Sequence, residues 1–426
     1  MTNSKVLVLF DQAIVSGGNF ALGILMARLL GLETYGLYCI LWMGILFALN
    51  FHQAFMTKPL MSLFASKKEA EQATYLKGLF GLQFYISAAC MVLPALVFGG
   101  LKILNISDEW VCYVPLCGFL TAVYLLQDFL RKSFFVKQQY HQPVLMDLVL
   151  YVPMLLALPT LYYFNRLDLN TSLWVMVILY TLSSGLGFYL FWKKNWTGTN
   201  HSSLTTYHYS LIKISKEHYH YSFWLLGTSL VQWFSSNFFL IAAASVLGTM
   251  AVGALRMAQN MVGLCHVLFL AMENIIPAKA AQHFFDSGKT AMYVYLKKIS
   301  FLGSLPILLM LGGLTFASLS LIEFLYGAEY QSYSYLVGAY ALLYIFVYIG
   351  FPLRFALRTL QYTSPTFIAY CLSAGTSMLI AFPMAEAWGI AGIIAGLIGT
   401  QILTLLVYIF FLNASRTDSP SYKYSS

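Results

Sequence analysis

The chain has 426 residues, of which 59% are hydrophobic and 9% charged, with a formal net charge of +8 and a mean hydropathy of +0.72. So little charge cannot keep the surface of a water-soluble protein of this length wet, which excludes a soluble catalytic domain. The positive excess would suggest nucleic acid in a soluble chain, but anionic lipid head groups account for it here, and no nucleic-acid partner is expected.

Apolar runs of about 20 residues recur from end to end, each long enough to cross about 30 Å of hydrocarbon. In lipid the backbone must satisfy itself within the segment, so these runs predict helices, and the alternation of a β-barrel is missing. The predicted spans are 10–30, 36–56, 78–98, 111–130, 144–164, 172–192, 222–246, 252–276, 298–320, 334–353, 366–385 and 389–412. The fold class expected is all-α integral membrane, with about twelve transmembrane helices arranged as two parallel six-helix lobes around a central cavity. The lobes are 1–195 and 222–426, the second with a short cytoplasmic tail, joined by a cytoplasmic connector at 196–221.

In the first span Asp11 interrupts the apolar run, and no small-residue cleavage site follows before Arg28 and Glu33, so the segment is expected to stay as a helix. Gln12 and Asn19 share one face of it, and Arg28 falls opposite Asn19. His52 and Gln53 close the second span. Asp128 and Arg131, one turn apart near the end of the fourth, are placed to pair. The connection 193–221 holds His201, His208, His218 and His220 at no convincing ligand spacing, so no metal is predicted. Leu204, Tyr207, Leu211, Ile214 and Tyr221 there suggest a helix lying on the cytoplasmic surface.

The seventh span carries Gln232, Ser235, Ser236 and Asn237. In the eighth, Arg256, Gln259, Asn260, Gly263, His266, Glu273, Asn274 and Pro277 occupy one arc of about 140° at 100° per residue, with Leu264, Leu268 and Met272 outside it. Such a face lines a wet cavity or glues helices together. The tenth span has a Tyr340–Tyr344–Tyr348 ladder, suited either to sugar contact or to ordinary packing. The six cysteines are scattered, with no Cys-x-x-Cys, and read as small buried hydrophobes.

Charge orients the spans. Both termini and the connections near 57–77, 131–143, 193–221, 277–298 and 354–365 hold 20 of the 24 basic residues. The opposite set holds only Arg28, Lys102, Arg166 and Arg256. The positive-inside rule then predicts both termini in the cytoplasm.

The chain also repeats itself. Ala27-Arg28-Leu29-Leu30-Gly31 through Gly36 is echoed by Ala244-Ser245-Val246-Leu247-Gly248 through Gly253, 217 positions on. Pro59 and Pro277 follow at nearly the same offset, and Gln139-Tyr140-His141-Gln142-Pro143 is echoed by Gln361-Tyr362-Thr363-Ser364-Pro365. Six spans per repeat is an even number, so the halves share one orientation, the layout of alternating access.

The stretch Ala27-Arg28-Leu29-Leu30-Gly31, with Glu33, Tyr35, Gly36 and Tyr38, resembles the first hairpin of Wzx-type O-antigen and capsule repeat-unit flippases, in the polysaccharide-transport branch of the MOP (multidrug/oligosaccharidyl-lipid/polysaccharide) superfamily. Asp128-x-x-Arg131 running into Gln139-Tyr140 resembles the end of that family's fourth helix. The resemblance implies a flippase in the bacterial cytoplasmic (inner) membrane. It would carry an undecaprenyl-pyrophosphate-linked oligosaccharide from the cytoplasmic to the periplasmic leaflet, coupled to a proton or sodium gradient. Membrane lipids and polysaccharide polymerase machinery are the partners it implies, and no cofactor. Ser245 stands where the first hairpin has Arg28, so a role for Arg28 is not duplicated.

Candidate substrate-binding residues are Asn19, Arg28, His52, Gln53, Gln232, Asn237, Arg256, Gln259, Asn260 and Asn274. Arg131, Arg354 and Arg358 are placed for a phosphate on the cytoplasmic side, because guanidinium suits bidentate contacts, although snorkelling also explains such residues. Asp128, His266 and Glu273 are the titratable groups that ion coupling would need buried. A small-molecule exporter of the same superfamily is the main alternative, and a polytopic polymerase or ligase a lesser one, since those enzymes typically carry a long periplasmic loop. No Walker-type loop, His-Glu-x-x-His or major-facilitator Gly-x-x-x-Asp-Arg-like motif is present, so no catalytic residue is assigned.

Overall fold

The protein is described from a computed structural model covering residues 2–104, 109–196, 211–362 and 364–417. Among these residues every regular element is helical. The chain divides into two compact units, Met1–Leu230 and Val231–Ser426.

The first unit contains α1 (Thr2–Leu30), α2 (Leu32–His52), the short α3 (Lys58–Leu63), α4 (Glu69–Ile103), α5 (Val114–Val136), α6 (His141–Tyr163) and α7 (Leu169–Trp196). It also holds the first turns of α8 (Leu211–Leu247). A π-helical turn, Gln53–Thr57, joins α2 to α3. At the start of α7 the Thr171 amide donates to Asp168 Oδ1 at 2.7 Å, an N-cap that holds this carboxyl below the usual range.

α5 is the hub, packed on α2, α4, α6 and α7, while α1 lies along α6. Two of these contacts need a missing side chain. Gly18 on α1 lies flat against the Tyr151 ring, and Gly118 on α5 faces the Cys90 carbonyl and Pro94, so a Cβ at either position would clash. One core cluster gathers Met56, Leu60, Tyr75, Leu79, Phe129 and Phe134 with Ile214 from the start of α8.

The second unit comprises the rest of α8, then α9 (Thr249–Val262), α10 (His266–Phe316), α11 (Ser318–Leu325), α12 (Tyr335–Thr359) and α13 (Ser364–Thr417). Here α12 is the hub, against α9, α10, α11 and α13. α10 folds at Gly288 (φ 81°) and α13 at Gly389 (φ 58°), so each is two helical segments. Among the described residues ten helical runs are long and apolar enough to cross a membrane, and the two folded helices account for the difference from twelve spans.

The repeat extends to the backbone. Gly31 (φ 78°, ψ 168°) and Gly248 (φ 83°, ψ −177°) precede α2 and α9 in the same conformation, one open essentially to glycine alone. The left-handed residues Gln138 and Gln361 follow α5 and α12, which moves the expected match of Gln139 with Gln361 by one position, and Asn165 and Gly389 precede the last segment of each half. A 3-10 turn leads into each hub helix, Glu109–Tyr113 before α5 and Ala328–Tyr333 before α12.

Two expectations are corrected. Leu211, Ile214 and Tyr221 belong to the first turns of α8 and do not form a separate surface helix; Leu204, Tyr207, His201 and His208 lie outside the described residues. The eighth span is not one continuous helix either. A 3-10 turn at Gly263–Cys265 shifts its phase by about 60°, so the polar arc drawn across it is interrupted there.

Candidate functional site

Each unit holds a polar cavity. That of the first unit, about 220 Å³, is bounded by α1, α2, α5, α6 and α7. Its centre is Arg131, whose Nη2 lies 2.8 Å from Asp11 Oδ2 and 2.9 Å from Asp147 Oδ2. Asp11 comes from α1 and Asp147 from α6, so one guanidinium on the hub helix ties both neighbours together. Gln127, one turn earlier on α5, donates to Asp147 Oδ1 at 3.0 Å, and the Tyr151 hydroxyl donates to Asn19 Oδ1 at 3.1 Å.

The pairing expected between Asp128 and Arg131 is therefore replaced. Two carboxylates from other helices take the guanidinium, and Asp128 Oδ2 faces His52 Nδ1 at 3.9 Å instead. His52 Nε2 donates to Gln83 Oε1 at 2.7 Å. That tautomer follows from the chain beyond it, because Gln83 Nε2 donates to Ser87 Oγ and Ser87 donates to the Ala122 carbonyl. His52 thus presents its basic nitrogen to Asp128. Asp11 Oδ1, Asp128 Oδ2 and Arg131 Nε are buried without a hydrogen-bond partner among the described residues, so the network is only partly satisfied.

The cavity of the second unit, about 330 Å³, runs along α12. Lining residues on that helix extend from Tyr340 to Arg354, which is about 21 Å of helix. α8 adds Gln232, Ser235, Ser236 and Asn237, α9 adds Arg256 and Gln259, and α13 adds Tyr370, Ser373, Thr400 and Thr404 among others. Arg256 donates to Gln259 Oε1 at 2.8 Å and to Asn237 Oδ1 at 3.4 Å. Arg354 pairs with Glu273 and lies over the Phe351 ring, 4.7 Å from its centroid.

The candidates named from sequence divide accordingly. Asn19, Gln53, Asp128 and Arg131 line the first cavity; Gln232, Asn237, Arg256, Gln259 and Arg354 line the second. Asn260 is engaged elsewhere, donating to the Tyr326 hydroxyl at 3.1 Å, and His266 Nε2 meets the Tyr344 hydroxyl at 3.0 Å. Tyr340 and Tyr344 of the tyrosine ladder face the cavity, whereas Tyr348 donates to the Ser300 carbonyl. Arg28 and Arg358 are exposed and line neither cavity, and His52 stands behind the first one. His266 and Glu273 are exposed as well, so they lack the burial expected of ion-coupling groups; the Asn274 side chain lies outside the described residues. Asp147, Asp11, Gln127 and Tyr151 were not among the candidates. Asp147 had a legible signal, a lone carboxylate inside the apolar run 144–164.

The two cavities correspond in part. At the offset set by Gln138 and Gln361, the lining residues Tyr124, Gln127, Asp128 and Arg131 of α5 correspond to Val347, Gly350, Phe351 and Arg354 of α12. All four correspondents line the second cavity, whereas Phe355 and Arg358, which answer to Lys132 and Phe135, do not. At the offset of the first hairpin, Val15 and Asn19 correspond to Gln232 and Ser236, which line it too.

No protein-family model and no curated protein matches the sequence. Solved structures do match in fold. An inward-facing multidrug resistance MATE family transporter of the MOP superfamily superposes with a TM-score of 0.70 at 13% identity, over 98% of this chain and 100% of that one. The lipid II flippase MurJ, in an inward closed conformation, gives 0.71 at 15% identity, over 97% and 88%. The Vibrio cholerae MATE transporter VcmN, as a single-site mutant, gives 0.58 at 15%, over 98% and 97%. The fold is that of MOP superfamily transporters across nearly the whole chain.

Proposed function

We propose that this chain is a membrane flippase that moves a lipid-linked oligosaccharide, carried on undecaprenyl pyrophosphate, from the cytoplasmic to the periplasmic leaflet of a bacterial inner membrane. The observation that carries this reading is the conjunction of a MOP-type fold over nearly the whole chain with the Ala27-Arg28-Leu29-Leu30-Gly31 hairpin. The hydroxyl- and amide-rich linings support it, because such groups match the hydrogen-bonding capacity of sugars better than that of lipophilic drugs. In this reading Arg131 and Arg354 stand toward the cytoplasmic end of their helices, where a pyrophosphate would first be met, and both termini are cytoplasmic.

Coupling to a proton or sodium gradient belongs to the same reading. Asp128 against His52 is the pair on which it rests, since both side chains are buried and face each other at 3.9 Å, a carboxylate and an imidazole placed to share a cation. Polysaccharide polymerase machinery is the partner that would consume the flipped product. The second reading, export of small molecules, draws on the MATE transporters among the structural neighbours.

Deleting the gene separates the two. The flippase reading expects loss of surface polysaccharide with accumulation of its lipid-linked precursor. Intact surface polysaccharide with altered drug tolerance would overturn it in favour of the exporter.

A further inference from the structure

The two partly corresponding cavities differ in charge. Three carboxylates, Asp11, Asp128 and Asp147, line the first against Arg131 and Lys132. Two arginines, Arg256 and Arg354, line the second, and no carboxylate does. The correspondence shows which positions differ. Where the first cavity has Asp128 and Asp147, the second has Phe351 and Tyr370, and Thr228, which answers to Asp11, lines neither. The hub arginine is kept in both, but its buried carboxylate partners are absent from the second, where its partner is the exposed Glu273, outside the lining. The second arginine, Arg256, stands where the first unit has Cys39.

Arg256 is the less compensated of the two. It sits about two turns inside α9, half-buried, and its hydrogen bonds go to the amide oxygens of Gln259 and Asn237. Among the described residues no carboxylate lies within ion-pair distance of it. A guanidinium at membrane depth is costly unless an anion or strong acceptors meet it, and two amides orient a cation without neutralising it. The rest of the lining, Tyr340, Tyr370, Ser373, Thr400 and Thr404 among it, offers hydroxyls and aromatic faces.

We infer that the cavity of the second unit is a binding site for an acidic sugar, with Arg256 receiving its carboxylate or phosphate and the hydroxyl and amide lining receiving its ring hydroxyls. The inference deepens the flippase reading, on which it rests for the source of the sugar: it makes the transported glycan an acidic one. In the first cavity the arginine already meets two carboxylates, so no acidic sugar is assigned to it.

The test is calorimetric binding to the full-length protein in lipid nanodiscs, using glucuronate, N-acetylglucosamine 1-phosphate, glucose and inorganic phosphate as probes. The sugar acids should bind at least about tenfold more tightly than glucose or inorganic phosphate, and the preference should shrink with added salt. Arg256→Gln should abolish the preference, and Arg256→Lys, which keeps the charge, should retain part of it. A melting curve for each variant separates loss of binding from loss of fold. Glucose binding as tightly as glucuronate, inorganic phosphate binding as tightly as both sugar acids, or an Arg256→Gln protein that folds and keeps the preference would each overturn the inference. Binding is read without transport, so acid-selective binding in a protein whose deletion spares surface polysaccharide would overturn the flippase reading and leave the site standing.

Discussion

Arg131 and Arg256 show how differently one residue type behaves at membrane depth. Arg131 is held by Asp11 and Asp147 from two other helices, so its charge is structural as well as chemical. Replacing it with Ala leaves two buried carboxylates facing each other, which should cost about 3–5 kcal/mol. Thermal unfolding in detergent should show this as a large fall in Tm, and adding Asp147→Asn should recover part of it. An unchanged Tm in the single variant would refute the structural role. The pairing was only partly legible from sequence. Asp128 stands three residues from Arg131 and invites an intrahelical pair, but that proximity says nothing of carboxylates brought in by α1 and α6. Reading Asp147 as a charge inside an apolar run would have found one of them.

Between α2 and α8 the deciding element is a proline. Pro59 has no N–H, so the Phe55 carbonyl, four residues back, loses its helical donor inside the π-helical turn. His218 Nδ1 donates to that carbonyl at 2.9 Å, Ser222 reaches it at 3.4 Å, and His218 Nε2 accepts from the Tyr75 hydroxyl at 2.6 Å. Lys67 pairs with Glu217, and the Tyr221 hydroxyl donates to Ser62 Oγ at 2.9 Å, so the first turns of α8 are seated in the notch that Pro59 opens. His218→Ala should therefore destabilise the protein by about 1–3 kcal/mol per buried group left unpaired, read as a lower Tm. Adding Pro59→Ala, which restores a donor for Phe55, should soften that loss; an additive second loss would contradict the notch account. Glycine hinges make a separate prediction. A Cβ at Gly248 would meet nothing within 4 Å, yet its φ of 83° with ψ near 180° is open essentially to glycine alone. Gly248→Ala should cost about 1–3 kcal/mol by strain alone, again as a Tm shift. These glycines were visible in the sequence as punctuation. The 3-10 break at Gly263 was not, because a periodic polar face looks the same whether or not the helix runs through it.

For the whole molecule, hydropathy and the doubled pattern of helices were legible because bilayer thickness and backbone satisfaction leave few alternatives. The repeat was legible at its glycines and prolines. Its main consequence, two corresponding cavities of different charge, was not, because only the backbone sets the offset that aligns Arg131 with Arg354. What the molecule carries is tested most directly by reconstitution. The purified chain is placed in proteoliposomes containing a fluorescent undecaprenyl-pyrophosphate-linked oligosaccharide, and access of a membrane-impermeant quencher is followed over time. Our account expects protein-dependent movement of the labelled lipid between leaflets, faster with an acidic glycan than with a neutral one of equal length, and slowed by Arg256→Gln. Leaflet exchange no faster than in protein-free liposomes, under every ion gradient applied, would contradict it.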